Sequence, residues 1–153
     1  MAELALGILG LAGPALTTIE RILGLCDRIQ NAPSQIRQLR TVAYRLQKNL
    51  NHLQRESDHV SDGPSARLPT EDQEEILQAL SSCEAFLKKH VPTLTNAGKL
   101  GALRRAAWSL DSRHSQELDS YRDRIDSIYV QIISPFYLRF VATLCELEVG
   151  NRD

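Results

Sequence analysis

Glycine and proline are scarce. The 153 residues hold only eight glycines and six prolines, which leaves room for long helices and argues against a loop-rich fold. Cysteine is scarcer still. Cys26, Cys83 and Cys145 are odd in number, far apart and form no CxxC pair, so neither a disulfide framework nor a zinc cluster is expected. His52, His59, His90 and His114 lie at no metal-ligand spacing near them. The three thiols are therefore expected to be free and buried, as in a reducing cytosol. No GxSxG, HExxH, P-loop or dinucleotide fingerprint occurs. The chain reads as a non-enzyme, with no catalytic residue, no cofactor and no metal ligand. Neither an alternating strand pattern nor an internal repeat is found.

Hydrophobic residues make up 42% and charged residues 24% of the chain, the balance of a globular domain. This length suits one domain, residues 1–153, able to bury a real core without staples. The opening Met1-Ala2-Glu3 places an acid where a secretory signal carries a basic residue. A cytosolic location is expected.

The first helical segment is expected from about Ala2 to Gln30, kinked or divided at Pro14. After Asn31-Ala32-Pro33, Ser34 is expected to cap a second helix over residues 35–59. At ~100° per residue from Arg37, Leu39, Val42, Leu46, Leu50 and Leu53 fall between roughly 140° and 220°. Arg37, Arg40, Arg45, Lys48 and Arg55 fall on the opposite side, giving one apolar stripe and one basic face. Turn formers at 61–66 predict a loop. Thr70 then caps a third helix, with Glu71, Asp72, Glu74 and Glu75 near its start and Lys88, Lys89 and His90 at its end, as the helix dipole favours. Its apolar stripe is Ile76, Leu80, Cys83 and Leu87, and Pro92 and Gly98 are expected to break the chain. A short helix follows over Leu100–Trp108, with Trp108 in or near the core. The last long helix starts at Asp111 or Ser112 and repeats apolar residues at Leu118, Tyr121, Ile125, Ile128 and Ile132. Pro135 is expected to kink or break it, with Phe136, Phe140, Leu144 and Leu147 continuing the pattern. The expected fold is all-α, a helical bundle of four long helices plus a short one.

The net charge of -1 hides strong blocks. Residues 28–55 carry six basic and no acidic residues; residues 56–86 carry eight acidic and one basic. Residues 87–113 carry six basic and one acidic. Oppositely charged helices could complement one another as antiparallel neighbours, or their faces could simply be solvated. The basic helix lacks aromatic interleaving beyond Tyr44, and the pI is about 6.4. Nucleic acid is therefore not expected as a partner.

The N-terminus is the most unusual feature. Leu4 to Ile19 carries no charge, and Gly7, Gly10 and Gly13 recur every three residues among apolar ones. A helix apolar on all sides is either the buried centre of a bundle or a membrane segment. Sixteen residues at ~1.5 Å each give about 24 Å, short of the ~30 Å hydrocarbon core. A permanent transmembrane helix is therefore not expected. The glycines suggest close helix contacts, or a segment that changes state.

Three stretches together resemble a known family. The start, MAELALGILGLAGPALTTIERILGLCDRI, resembles the glycine-bearing apolar N-terminus of the fungal HeLo-like domains. NAPSQIRQLRTVAYRLQKNLNHLQ is similar to the family's second helix, and GKLGALRRAAWSLDSRHSQELDSYRDRIDSI to the region around its tryptophan. The resemblance covers nearly the whole chain and implies a HeLo-like bundle at the N-terminus of a longer protein. It implies a membrane-targeting, pore-forming domain that induces cell death after oligomerisation, in fungal incompatibility or innate-immunity signalling. Leu4, Leu6, Gly7, Ile8, Leu9, Gly10, Leu11 and Gly13 would be its membrane-active stretch. The implied partners are anionic membrane lipids, further copies of the chain, and a receptor or amyloid-signalling module outside it. The implied location is cytoplasmic at rest and the plasma membrane on activation. The basic face of helix two is an addition read from the residues, suited to anionic lipid or to a partner. The alternative is a lipid-independent interaction or oligomerisation domain of an NLR-type receptor.

Overall fold

A computed structural model describes residues 2–58, 70–95 and 98–151; for residues 2–12, 56–58, 140, 143–144, 147–149 and 151 the description covers the backbone alone. The loop predicted at 61–66 lies outside the described residues, as do the side chains of Phe140, Leu144 and Leu147. The order is α1 (Ala2–Asp27), α2 (Ser34–Asp58), α3 (Thr70–Leu94), α4 (Lys99–Leu110), α5 (Ser112–Ile128), a π-helical turn (Tyr129–Ile133) and α6 (Ser134–Asn151). No strand occurs among the described residues. Counting α5, the π-turn and α6 as one rod gives four long helices and a short one, the all-α bundle read from the sequence.

The apolar stripes meet in one core. Leu39, Leu46, Leu50 and Leu53 of α2 and Ile76, Leu80, Cys83 and Leu87 of α3 are buried, with Val42 packed against them. Ile19 and Ile22 of α1 and Leu118, Ile125 and Ile128 of α5 complete it. Burying each such side chain contributes roughly 1.5–3 kcal/mol. α1 packs on α2 and α3, while α5 packs on α2 and α3 from the other side. The pairs Gln35–Ser115 (3.1 Å) and Arg45–Asp126 (3.4 Å) show α2 and α5 running in the same direction.

Pro14 does not divide α1, which runs through it. Pro92 likewise lies inside α3, one turn beyond Lys88-Lys89-His90, so these residues do not form the helix end. A proline costs one backbone hydrogen bond, and the buried Val91 and Leu94 on either side hold the turn in place. Pro135 has a more local consequence. The helix widens just before it, and the Ser134 N–H donates to the Tyr129 carbonyl, five residues back. This wider turn relieves the clash of the proline ring with the carbonyl four residues before it. The rod continues instead of breaking.

The caps are partly as predicted. Asp111 caps α5, accepting from the Arg113 N–H at 3.0 Å. At α2 the cap is not Ser34, which begins the helix. The Pro33 carbonyl accepts from Ile36 and Arg37 N–H at 3.0 and 3.1 Å. Asn31 adopts a left-handed conformation, φ 53°, where the chain reverses between α1 and α2.

Candidate functional site

The two sequence-derived sites fare differently. Leu4, Leu6, Gly7, Ile8, Leu9, Gly10 and Leu11 lie on the backbone of α1, with their side chains outside the described residues. Gly13 is exposed, and a Cβ there would meet nothing within 4 Å. Close helix packing is therefore not the reason for glycine at 13.

All five basic residues of α2 are exposed, as expected. They do not form an unopposed cationic surface. The Arg40 Nε lies 2.6 Å from Asp27 Oδ1, at the end of α1, and Arg45 reaches Asp126 of α5. Hydrogen bonding to Asp27 raises the Arg40 pKa further. The Lys48 Nζ sits 5.0 Å from the centre of the Tyr44 ring. Arg37 and Arg55 lie towards the two ends of the face. The acids that oppose the basic face come from α1 and α5. The acidic start of α3 does not, because α3 packs on α1, α4 and α5.

A buried charge ties α1 to α3 instead. Glu84 is 8% exposed. Its Oε1 lies 2.9 Å from Arg21 Nε and 3.2 Å from Lys88 Nζ. Both cations reach solvent, so the carboxylate is the only member removed from water.

An aromatic cluster holds α4. The Trp108 indole N–H donates to His90 Nδ1 at 3.0 Å, which places the proton of neutral His90 on Nε2. His114 donates from Nδ1 to the Trp108 carbonyl at 3.0 Å. Its ring stacks on the indole, with centroids 4.5 Å apart and planes at 15°. His90 also meets His114 edge-on at 4.7 Å, and Phe86 backs the group at 4.5 Å from His90. Burial, then the neighbouring His114 and Lys89, push the His90 pKa below its usual value. The sequence reading placed Trp108 in the core but missed both histidines. They are 24 residues apart and meet only because α4 folds back between α3 and α5.

Among the described residues, grooves border this architecture on two sides. One, about 210 Å³, lies between α2 and the π-turn and is lined by Asn49, His52, Leu53, Tyr129, Ile133, Ser134 and Tyr137. At its edge His52 Nε2 and the Tyr137 hydroxyl are 2.9 Å apart. The other, about 380 Å³ and wide open, passes between Lys89 and His90 of α3 and Glu117 and Tyr121 of α5. Among the described residues no three His, Cys, Asp or Glu side chains are grouped to hold a metal ion.

The thiols divide. Cys26 and Cys83 are free and buried, and burial pushes each pKa up to about 12, so both stay protonated. Cys145, on α6, is exposed, contrary to expectation. No helix among the described residues is long and apolar enough to cross a membrane. Comparison with protein-family models, curated proteins and solved structures found no match to this chain.

Proposed function

We propose that this chain is a non-enzymatic, membrane-targeting domain that permeabilises membranes after oligomerisation, as the HeLo-like domains it resembles do in regulated cell death. It rests in the cytoplasm and moves to the plasma membrane on activation. The observation that best supports this is the junction in α1. Ala15, Ile19, Ile22 and Cys26 anchor the helix in the core. Immediately before them, Gly13 and Pro14 are exposed. The uncharged stretch from Leu4 to Gly13 thus joins the bundle through an unpacked Gly-Pro step. A segment so joined can leave its resting position without dismantling the core behind it. At ~1.5 Å per residue it is too short to span alone, so several copies must insert together.

The test is dye release from anionic vesicles by the domain fused to an inducible oligomerisation tag. The intact domain releases dye on oligomerisation. A form lacking residues 1–13 keeps its helical circular dichroism and releases none. Equal release by a folded truncation overturns the proposal.

The second reading, a lipid-independent oligomerisation domain, is favoured by one observation: Arg40 and Arg45 are already paired with Asp27 and Asp126. It predicts self-association without lipid and no dye release.

A further inference from the structure

Helix α4 is the element whose surface the bundle explains least. Gly101 and Trp108 are buried, whereas Leu100, Leu103 and Leu110 are 63%, 68% and 85% exposed. At ~100° per residue, Leu100, Leu103, Ala107 and Leu110 share an arc of about 80°, and Trp108 and Gly101 point roughly 130° away from its centre. The indole therefore pins α4 from the inner side, through His90 and His114, while a leucine ridge faces out. Lys99 and Arg104 border that ridge on its two sides and are exposed. No acidic residue occurs from Lys99 to Leu110.

We infer that α4 is an in-plane docking helix for an anionic lipid surface. Its leucine ridge enters the boundary between headgroups and acyl chains, and Lys99 and Arg104 lie against the lipid phosphates. The inference rests on the membrane reading above and names the surface by which the folded bundle first meets the bilayer.

Charge and area together select lipid over a protein partner. A basic amphipathic helix with aliphatic residues on its other face is the form that lies in a membrane interface. Its length of 12 residues gives an apolar ridge about 18 Å long. Three leucines and one alanine present on the order of 400–500 Å², below the ~800 Å² that each partner contributes to a standard protein interface. The one tryptophan, the residue type most enriched in protein hot spots, is turned inward. A bilayer requires no complementary pocket.

The experiment is co-sedimentation of the intact chain with vesicles of phosphatidylcholine alone or with added phosphatidylserine. Three variants accompany it: Leu100→Ser/Leu103→Ser/Leu110→Ser, Lys99→Glu/Arg104→Glu, and a form lacking residues 1–13. The substituted side chains are exposed, so unchanged thermal unfolding checks that the fold survives. The unaltered chain and the truncation bind phosphatidylserine vesicles and leave phosphatidylcholine vesicles in the supernatant. The leucine variant loses binding at least tenfold, about the effect of withdrawing an apolar ridge from the interface. Reversing the two surface cations costs at least about 30-fold, roughly fivefold for each attraction lost.

Equal binding by the leucine variant and the unaltered chain overturns the role of α4 and leaves the membrane reading standing through another surface. Absence of binding by the unaltered chain overturns both. Equal binding to neutral vesicles overturns the choice of an anionic surface. A lipid-free dimer that the leucine substitutions convert to monomer identifies a second copy as the occupant and overturns the lipid assignment.

Discussion

Acid should loosen α4, and Trp108 should report it. The Trp108 N–H donates to His90 Nδ1. That nitrogen can accept only while His90 is neutral; once protonated, it presents a second N–H to the indole. The groups around His90 oppose its charging on balance: Phe86 and Lys89 on α3, Trp108 on α4 and His114 on α5 disfavour it, and Glu117 on α5 favours it. The folded-state pKa is lowered, so the unfolded chain takes up the proton first. The stability that neutral His90 contributes is therefore complete above the unfolded value of about 6.5 and is lost as pH falls below it. The interaction at stake is one hydrogen bond, about 0.5–1.5 kcal/mol net. For a domain of this size that is a fall of ~2–4 °C in Tm per kcal/mol. The assay is urea unfolding followed by the fluorescence of Trp108, the only tryptophan, at about pH 7.5 and 5.5, a window in which carboxylates titrate little. A His90→Gln variant should lose most of the difference between the two pH values. If it shows the same difference as the unaltered chain, His90 is not the acid-sensitive group and the reasoning fails.

Other expectations follow from the packing. Leu46→Ala or Leu80→Ala, each at a fully buried position, should cost ~2–5 kcal/mol in chemical denaturation. A cost below about 0.5 kcal/mol would show that the stripes do not form the core. Because Glu84 is the buried member of its ion pairs, Arg21→Ala should destabilise by about 1–3 kcal/mol. Glu84→Gln, which strands no buried charge, should cost less than about 1 kcal/mol; the reverse order would contradict the geometry. Reversing Arg37, Lys48 and Arg55 should weaken binding to anionic vesicles with the fold intact. Reversing Arg40 should instead lower Tm, through its Asp27 pair.

The fold was largely legible because burial follows periodicity. The α2 and α3 stripes could be read from spacing alone, and the start of α5 was legible as Asp111 or Ser112. The prolines could not. Whether Pro14, Pro92 or Pro135 ends a helix depends on whether tertiary packing outweighs one lost backbone hydrogen bond, and packing is invisible in a single sequence. At Pro135 the chain adopted a third outcome, a π-turn. The basic face of α2 was legible as a pattern but not as an electrostatic surface. Asp27 and Asp126, which partly neutralise it, come from other helices and are placed there by the tertiary fold. The leucine ridge of α4 was hidden for a related reason. Leu100 and Leu103 are as apolar as core leucines, and only the inward position of Trp108 shows which side of the helix faces out.

The central claim is that this bundle is recruited to anionic membranes, and salt-dependent vesicle binding tests it most directly. Co-sedimentation of the intact chain with phosphatidylserine vesicles should be strong at low ionic strength. It should weaken progressively as added salt shortens the Debye length from roughly 30 Å at 0.01 M to 8 Å at physiological strength, with no binding to phosphatidylcholine alone. No sedimentation with anionic vesicles at any salt concentration, or binding indifferent to both salt and lipid charge, would contradict the account.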